Sequence, residues 1–155
     1  MRTLELGQLM LPSDANPTGN VHGGAILKLI DTVADTCAMR YCRGNTVTAS
    51  LDQVDFLKPV FIGDIVMLYA SVNYVGNTSM EVGVKVEAET PTTDDRRHIS
   101  STYVTVVAMD KDSLLPKFIP ETTVEKRRFS EGKVRMETRK AARLKKLNKP
   151  QQLNG

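Results

Sequence analysis

The sequence predicts an α+β domain in which an antiparallel sheet wraps around one long helix, with a basic C-terminal extension beyond it. Three observations carry this. One early segment has helical apolar spacing, four later segments alternate apolar and polar residues, and Lys and Arg crowd together after residue 120. With 155 residues and 41% hydrophobic content the chain can bury one real core, and the absence of Trp makes that core aliphatic.

Residues 3–10 read as a first strand, and residues 11–21, rich in Pro, Asn, Gly and Asp, as a loop. Ile26, Ile30, Val33 and Cys37, flanked by Leu27, Ala34 and Ala38, recur at helical spacing and predict a helix running to about Arg43, ended by Gly44-Asn45. Strands follow at 46–57, 64–75, 79–89 and 99–109, each with β-branched residues at alternating positions. Pro59 and Gly63-Asp64 separate the first two, Gly76-Asn77 joins the next pair, and residues 91–97 form a longer polar connection. Residues 114–120 read as an extended closing segment. Residues 130–147 carry Arg, Lys or Glu at half of their positions, which predicts an exposed, partly disordered helix. The expected boundary divides a domain at 1–120 from a basic extension at 121–155.

The net charge of +3 hides an uneven distribution. Residues 121–155 hold eleven Lys and Arg against four Glu, a charge of +7, which leaves residues 1–120 at −4. No apolar run approaches the ~20 residues that span a bilayer, and the N-terminus lacks a basic flank with an apolar core, so a cytoplasmic protein without a membrane span is expected. Cys37 and Cys42, five positions apart on one helix, point to different faces and read as small core residues, not a disulfide. His22 and His98 are the only histidines and stand in no metal-binding frame, so neither metal nor cofactor is expected.

The stretch from Asn16 to Asp31, NPTGNVHGGAILKLID, concentrates the chemistry. Gly23-Gly24 is a poor choice for a helix interior but suits a place where backbone approaches a ligand. The first N–H groups of a helix lack intrahelical partners and lie at the positive end of its dipole, so they can stabilise charge on a carbonyl oxygen. Asn16 adds an amide and Asp31 a carboxylate. Gly23 and Asp31 fall about 80° apart around the helix and about 12 Å apart along the axis, too far for one carbonyl to touch both. If both act on one substrate, a second copy must supply the carboxylate, with two such helices antiparallel across a two-fold axis. The plainer reading is ordinary turn chemistry followed by a solvated Asp. Against it, Asp31 follows the apolar run AILKLI and precedes Val33-Ala34, which predicts a mostly buried helix where a carboxylate must be paired or used. Asp35 adds a like charge one turn later.

Three segments resemble one family. SDANPTGNVHGGAILKLID at 13–31, VDFLKPVFIGD at 54–64 and VGNTS at 75–79 are similar to the hotdog-fold acyl-CoA thioesterases, specifically the cytosolic acyl-CoA hydrolase group with its bacterial single-domain enzymes. With the order of elements, the resemblance covers about residues 3–120. It implies a hotdog fold that dimerises into a continuous sheet with interfacial active sites, commonly as a trimer of dimers, and hydrolysis of fatty acyl-CoA to fatty acid and CoA. Asp31 matches the family's catalytic carboxylate, acting as general base or as nucleophile, and Asn16 matches the loop amide that places water or carbonyl. Gly23 or Gly24 matches the backbone donor to the thioester oxygen.

Some members carry an aromatic residue where His22 stands, so His22 either lines the thioester pocket or flanks the loop. Asp35 falls where relatives place a polar helper, the alternative being that it tunes Asp31. Lys58, Arg96, Arg97 and the basic tail are candidates for the CoA phosphates. Thr78 and Ser79 are candidates for the pantetheine, or form an ordinary hairpin turn. CoA itself belongs to substrate and product. Two other readings stand beside hydrolysis: an acyl-CoA-sensing hotdog protein, and a binder of nucleic acid or an anionic surface through the tail. Sensors of this fold carry an added DNA-binding helical domain, for which there is no room before Thr3. The tail has only Phe129 as an aromatic, which argues against nucleic-acid stacking.

Overall fold

The computed structural model describes residues 1–110 and 114–149. Strand β1 (Thr3–Leu9) leads through a short 3-10 turn at Pro12–Asp14 into helix α1 (Gly23–Cys42). Strands β2 (Thr46–Leu51), β3 (Ile65–Val75), β4 (Ser79–Glu89) and β5 (Arg96–Ala108) follow, and helix α2 (Thr123–Asn148) comes last. The five strands make one antiparallel sheet in the order β1-β3-β4-β5-β2, and α1 contacts every strand. This is the hotdog architecture. The chain divides into two compact units, Met1–Phe118 and a second beginning at Ile119.

The predicted helical stripe is the one that packs. Ile26, Ile30, Val33, Ala34, Cys37 and Ala38 are buried on α1, and Val66, Leu68, Val82, Val84, Val86, Val104 and Val106 are buried on the strands. Truncating Ile30, fully buried, to alanine would cost about 2–5 kcal/mol. The opposite stripe of α1, Gly24, Lys28, Asp31 and Thr32, is exposed in the single chain. Asp31 therefore departs from expectation: its helix is buried on one face only, and the carboxylate stands on the other.

Several boundaries also differ. Helix α1 ends with Arg43, not Gly44, in the left-handed conformation (φ 57°), its N–H bonded to the Met39 carbonyl at 2.8 Å. Strand β2 stops at Leu51, six residues early, two paired positions past a bulge between Thr48 and Ser50 where the register with β5 shifts. Beyond it the bonds to β5 are scattered: Asp52 N–H to the Tyr103 carbonyl (3.0 Å), the Thr102 hydroxyl to the Gln53 carbonyl (3.2 Å) and Leu57 N–H to the Ile99 carbonyl (2.9 Å). Strand β5 begins at Arg96 instead of 99, since Arg96 and Arg97 already pair with Glu89 and Ala88. Helix α2 begins at Thr123, not 130, because Thr122 and Glu125 form a reciprocal capping box. Gly132 and Met136 are buried, so α2 is not the uniformly exposed helix its charges suggest. The closing segment is extended as expected, and it packs: Phe118 is buried with the Arg2 guanidinium 4.5 Å from its ring centre, and the Tyr41 hydroxyl donates to the Pro116 carbonyl at 2.9 Å. Both cysteines are free, Cys37 buried and Cys42 half-buried.

Candidate active site

The loop before α1 is built by Asn16. Its Oδ1 accepts from the Thr18 N–H (3.0 Å), the Thr18 hydroxyl (2.7 Å) and the Asn20 N–H (3.1 Å), while its own N–H donates to the Asn20 carbonyl (2.7 Å). Three donors converging on Oδ1 fix the orientation of the amide, so Nδ2 turns away from the loop with its two protons available. Gly19, at φ 88°, supplies the left-handed residue that closes this turn.

His22 then caps the helix. Its Nδ1 accepts from the Gly24 N–H at 2.8 Å, which requires an unprotonated Nδ1 and, in the neutral ring, a proton on Nε2. Gly24 is needed for this geometry: a Cβ there would lie 2.9 Å from Nδ1. The cap also decides between the two glycines. The Gly24 N–H is engaged, whereas the Gly23 N–H makes no hydrogen bond among the described residues. Phe56, half-exposed, covers the helix start, with its ring 3.4 Å from where a Gly23 Cβ would stand.

Asp31 lies on the same straight helix as Gly23, eight residues on, so the ~12 Å separation holds. Asp35, one turn after Asp31 and half-buried, accepts a hydrogen bond from the Thr46 hydroxyl and so ties α1 to β2. The same strand carries a residue the sequence did not flag, Thr48, two positions on from Thr46. The Thr48 Oγ1 is buried without a hydrogen bond among the described residues. A buried hydroxyl without a partner calls for an explanation. A threonine in a strand reads as an ordinary β-former, and only the missing partner marks it.

The phosphate candidates separate. Lys58 is exposed, with no ion pair among the described residues. Arg96 is half-exposed and shared between Glu87 (3.5 Å) and Glu89 (3.6 Å). A hydrogen bond from Lys85, at 2.6 Å, is the largest influence holding Glu87 below the ordinary carboxylate range. Arg97 is misplaced by the sequence reading: it is buried, paired with Asp64 and, at 2.6 Å, with Asp95. Burial alone would lower its pKa, but the hydrogen bonds it donates to Asp95 and Asp64 outweigh that and hold the guanidinium above its usual value. Thr78 and Ser79 sit in the β3–β4 hairpin, closed by a bond from the Gly76 N–H to the Ser79 carbonyl (2.8 Å). The Thr78 carbonyl accepts from Ala108, itself paired with Thr46, so this hairpin lies at the Thr46 end of β2, away from the helix start. Among the described residues no cluster of His, Cys, Asp or Glu could hold a metal ion, and no helix is long and apolar enough to cross a membrane.

Comparison with known proteins gives concordant results. The family model described as "Thioesterase superfamily" matches residues 18–94. Protein VdlD of Helicobacter pylori is 43% identical over 144 residues, covering 92% of this chain and 83% of its own. The acyl-CoA hydrolase of Staphylococcus aureus, solved with butyryl coenzyme A, coenzyme A and coenzyme A disulfide, superposes with a TM-score of 0.82 at 34% identity, covering 93% of this chain and 90% of its own. An apo-hexameric acyl-CoA thioesterase superposes with a TM-score of 0.83 at 35% identity, covering 90% and 92%.

Proposed function

This chain belongs to the thioesterase superfamily and is an acyl-CoA thioester hydrolase; from that premise we propose that it cleaves fatty acyl-CoA at sites shared between two subunits. One observation carries the reading. The Gly23 N–H at the start of α1, without a hydrogen bond among the described residues, and the exposed carboxylate of Asp31 lie on one helix at a distance no thioester spans. Two copies of α1 laid antiparallel, crossing near Leu27, bring the Gly23 of each to the Asp31 of the other. The hexameric assembly of a similar thioesterase supports such pairing, with three dimers as the natural count.

In this arrangement the Gly23 N–H polarises the thioester carbonyl and stabilises the oxyanion as the carbonyl carbon becomes tetrahedral. The Asn16 Nδ2 donates to the attacking water or to the carbonyl. Asp31 supplies the attack by one of two routes. As a base it takes a proton from water while the water oxygen bonds to the carbonyl carbon; as a nucleophile it bonds itself, and water opens the anhydride. Either way the C–S bond breaks, the CoA thiolate leaves and is protonated, and no cofactor takes part. Solved variants of the Staphylococcus aureus hydrolase replace an Asp, an Asn and a Thr with alanine, and these residues have the same order and sequence separations as Asn16, Asp31 and Thr48 here. This supports adding Thr48 to the site, where its free hydroxyl can orient Asp31 or the water. His22 serves by holding the helix start, Lys58 and Arg96 are the remaining phosphate contacts, and Thr78 and Ser79 are assigned to the hairpin. A cytoplasmic location fits the substrate.

Release of CoA thiol from acyl-CoAs of increasing chain length, measured for the wild type, Asp31→Ala and Asn16→Ala, tests the reading. A loss of about 10²–10⁴-fold in kcat for Asp31→Ala is the expected size for a lost base. Hydrolysis that persists in both variants would remove these residues from the site.

A further inference from the structure

Arg97 and Asp64 have no part in the chemistry described above, yet they form a buried cluster joined to it by backbone. Asp64 is 1% exposed and Arg97 7%. The Asp64 carboxylate accepts three bonds: Oδ2 from Arg97 and from the Phe61 N–H (2.9 Å), and Oδ1 from the Thr90 hydroxyl (2.9 Å). Arg97 in turn donates to Thr90 (3.1 Å) and Asp95. The cluster therefore clamps the turn at 61–64 onto the β4–β5 connection. Phe61 forms an antiparallel bridge with Asn20, and the Val60 carbonyl accepts from the Val21 N–H at 2.9 Å. Asn20 is held by Asn16, and Val21 precedes the His22 cap and the free Gly23 N–H. Hydrogen bonds thus lead from Arg97 through Asp64, Phe61 and Asn20 to the Asn16 amide, and the Val60–Val21 bond, one residue along the backbone from Phe61 and two from Gly23, ties the helix start to the same turn.

We propose that Arg97, acting through Asp64 and Phe61, is a positioning residue that sets where the Asn16 amide and the Gly23 N–H stand relative to the sheet. The inference rests on the site proposed above. It also replaces the expectation that Arg97 binds a CoA phosphate, and the two roles divide in kinetics. A lost phosphate contact weakens binding of the whole substrate and appears in KM, whereas displaced oxyanion donors act on the transition state and appear in kcat.

The test uses full-length Arg97→Met, Arg97→Lys and Thr90→Val, with Asp31→Asn as reference, each measured for kcat, KM and melting temperature. Arg97→Met should lose roughly tenfold or more in kcat, the scale set by small misplacements of catalytic groups, with KM changed by less than about twofold. Arg97→Lys keeps the charge but not the fork and should recover part of that kcat. Thr90→Val removes only hydroxyl bonds to the pair and should lower kcat several-fold; it decides the matter if Arg97→Met does not fold. A raised KM at unchanged kcat would return Arg97 to the phosphates. A lowered melting temperature with unchanged kcat per folded enzyme would leave the pair a purely structural role. Either result overturns the proposal. If Asp31→Asn retains the wild-type rate, the site itself is wrong and the inference falls with it; if Asp31→Asn is inactive while the Arg97 and Thr90 variants keep kcat, only the positioning role fails.

Discussion

At the scale of single residues, hydrogen bonding decides what each group has left to give. Asn16, His22, Gly23, Gly24 and Asp31 could be picked out from spacing, because an amide loop before a bare helix start is a local pattern. Which glycine keeps its N–H free could not, since that depends on the His22 ring folding back onto Gly24. His22→Ala should cost about 1 kcal/mol in urea unfolding, the worth of an N-cap, and shift kcat more than KM; a pure KM effect would make His22 a pocket wall instead. Thr48 was silent in the sequence for the opposite reason, its significance being a bond it lacks. Thr48→Val keeps the shape and removes an unpaired buried hydroxyl, so stability should hold or rise by up to about 1 kcal/mol while kcat falls. Parallel losses of stability and rate would assign the threonine to packing.

At the scale of elements, periodicity served well wherever one face of an element is buried and the other is not. The stripe through Ile26, Ile30, Val33 and Cys37 is the buried face of α1, and β3 and β4 end close to where their turn residues predict. Strand β2 is read too long from the sequence because residues 52–57 stay bonded to β5 at scattered points without continuing the ladder. The start of β5 was placed late because Arg96 and Arg97 look like loop residues until their pairing with Glu89 and Ala88 is seen. Burial on α1 gives Cys37 a measurable signature. Desolvation raises its thiol from the ordinary 9.0 to about 11, partly offset by Arg40. A folded value above the unfolded one favours the folded state below pH 9, and that contribution fades as pH climbs toward 11. Cys37 should accordingly resist alkylation at pH 8 and react once urea unfolds the chain; rapid labelling of the native protein at Cys37 would show that α1 opens locally.

At the scale of the molecule, one helix followed by a strand meander leaves few ways to bury the helix, so the wrapped sheet was legible before any coordinates. The charge division was legible as well, with −4 before residue 121 and +7 after it, but not the capping box at Thr122 that starts α2 early or the burial of Met136. Assembly follows from a distance, not from a pattern. Gly23 and Asp31 are fixed on one rigid helix, and a site that uses both needs two chains. The direct test is to co-express or co-refold Asn16→Ala with Asp31→Ala, each inactive alone. Every mixed dimer then holds one site with both native groups, so random pairing should restore about a quarter of the wild-type rate of acyl-CoA hydrolysis. A mixture as inactive as its two components, with mixed dimers demonstrated, would place Asn16 and Asp31 of one site in the same chain and contradict the shared site.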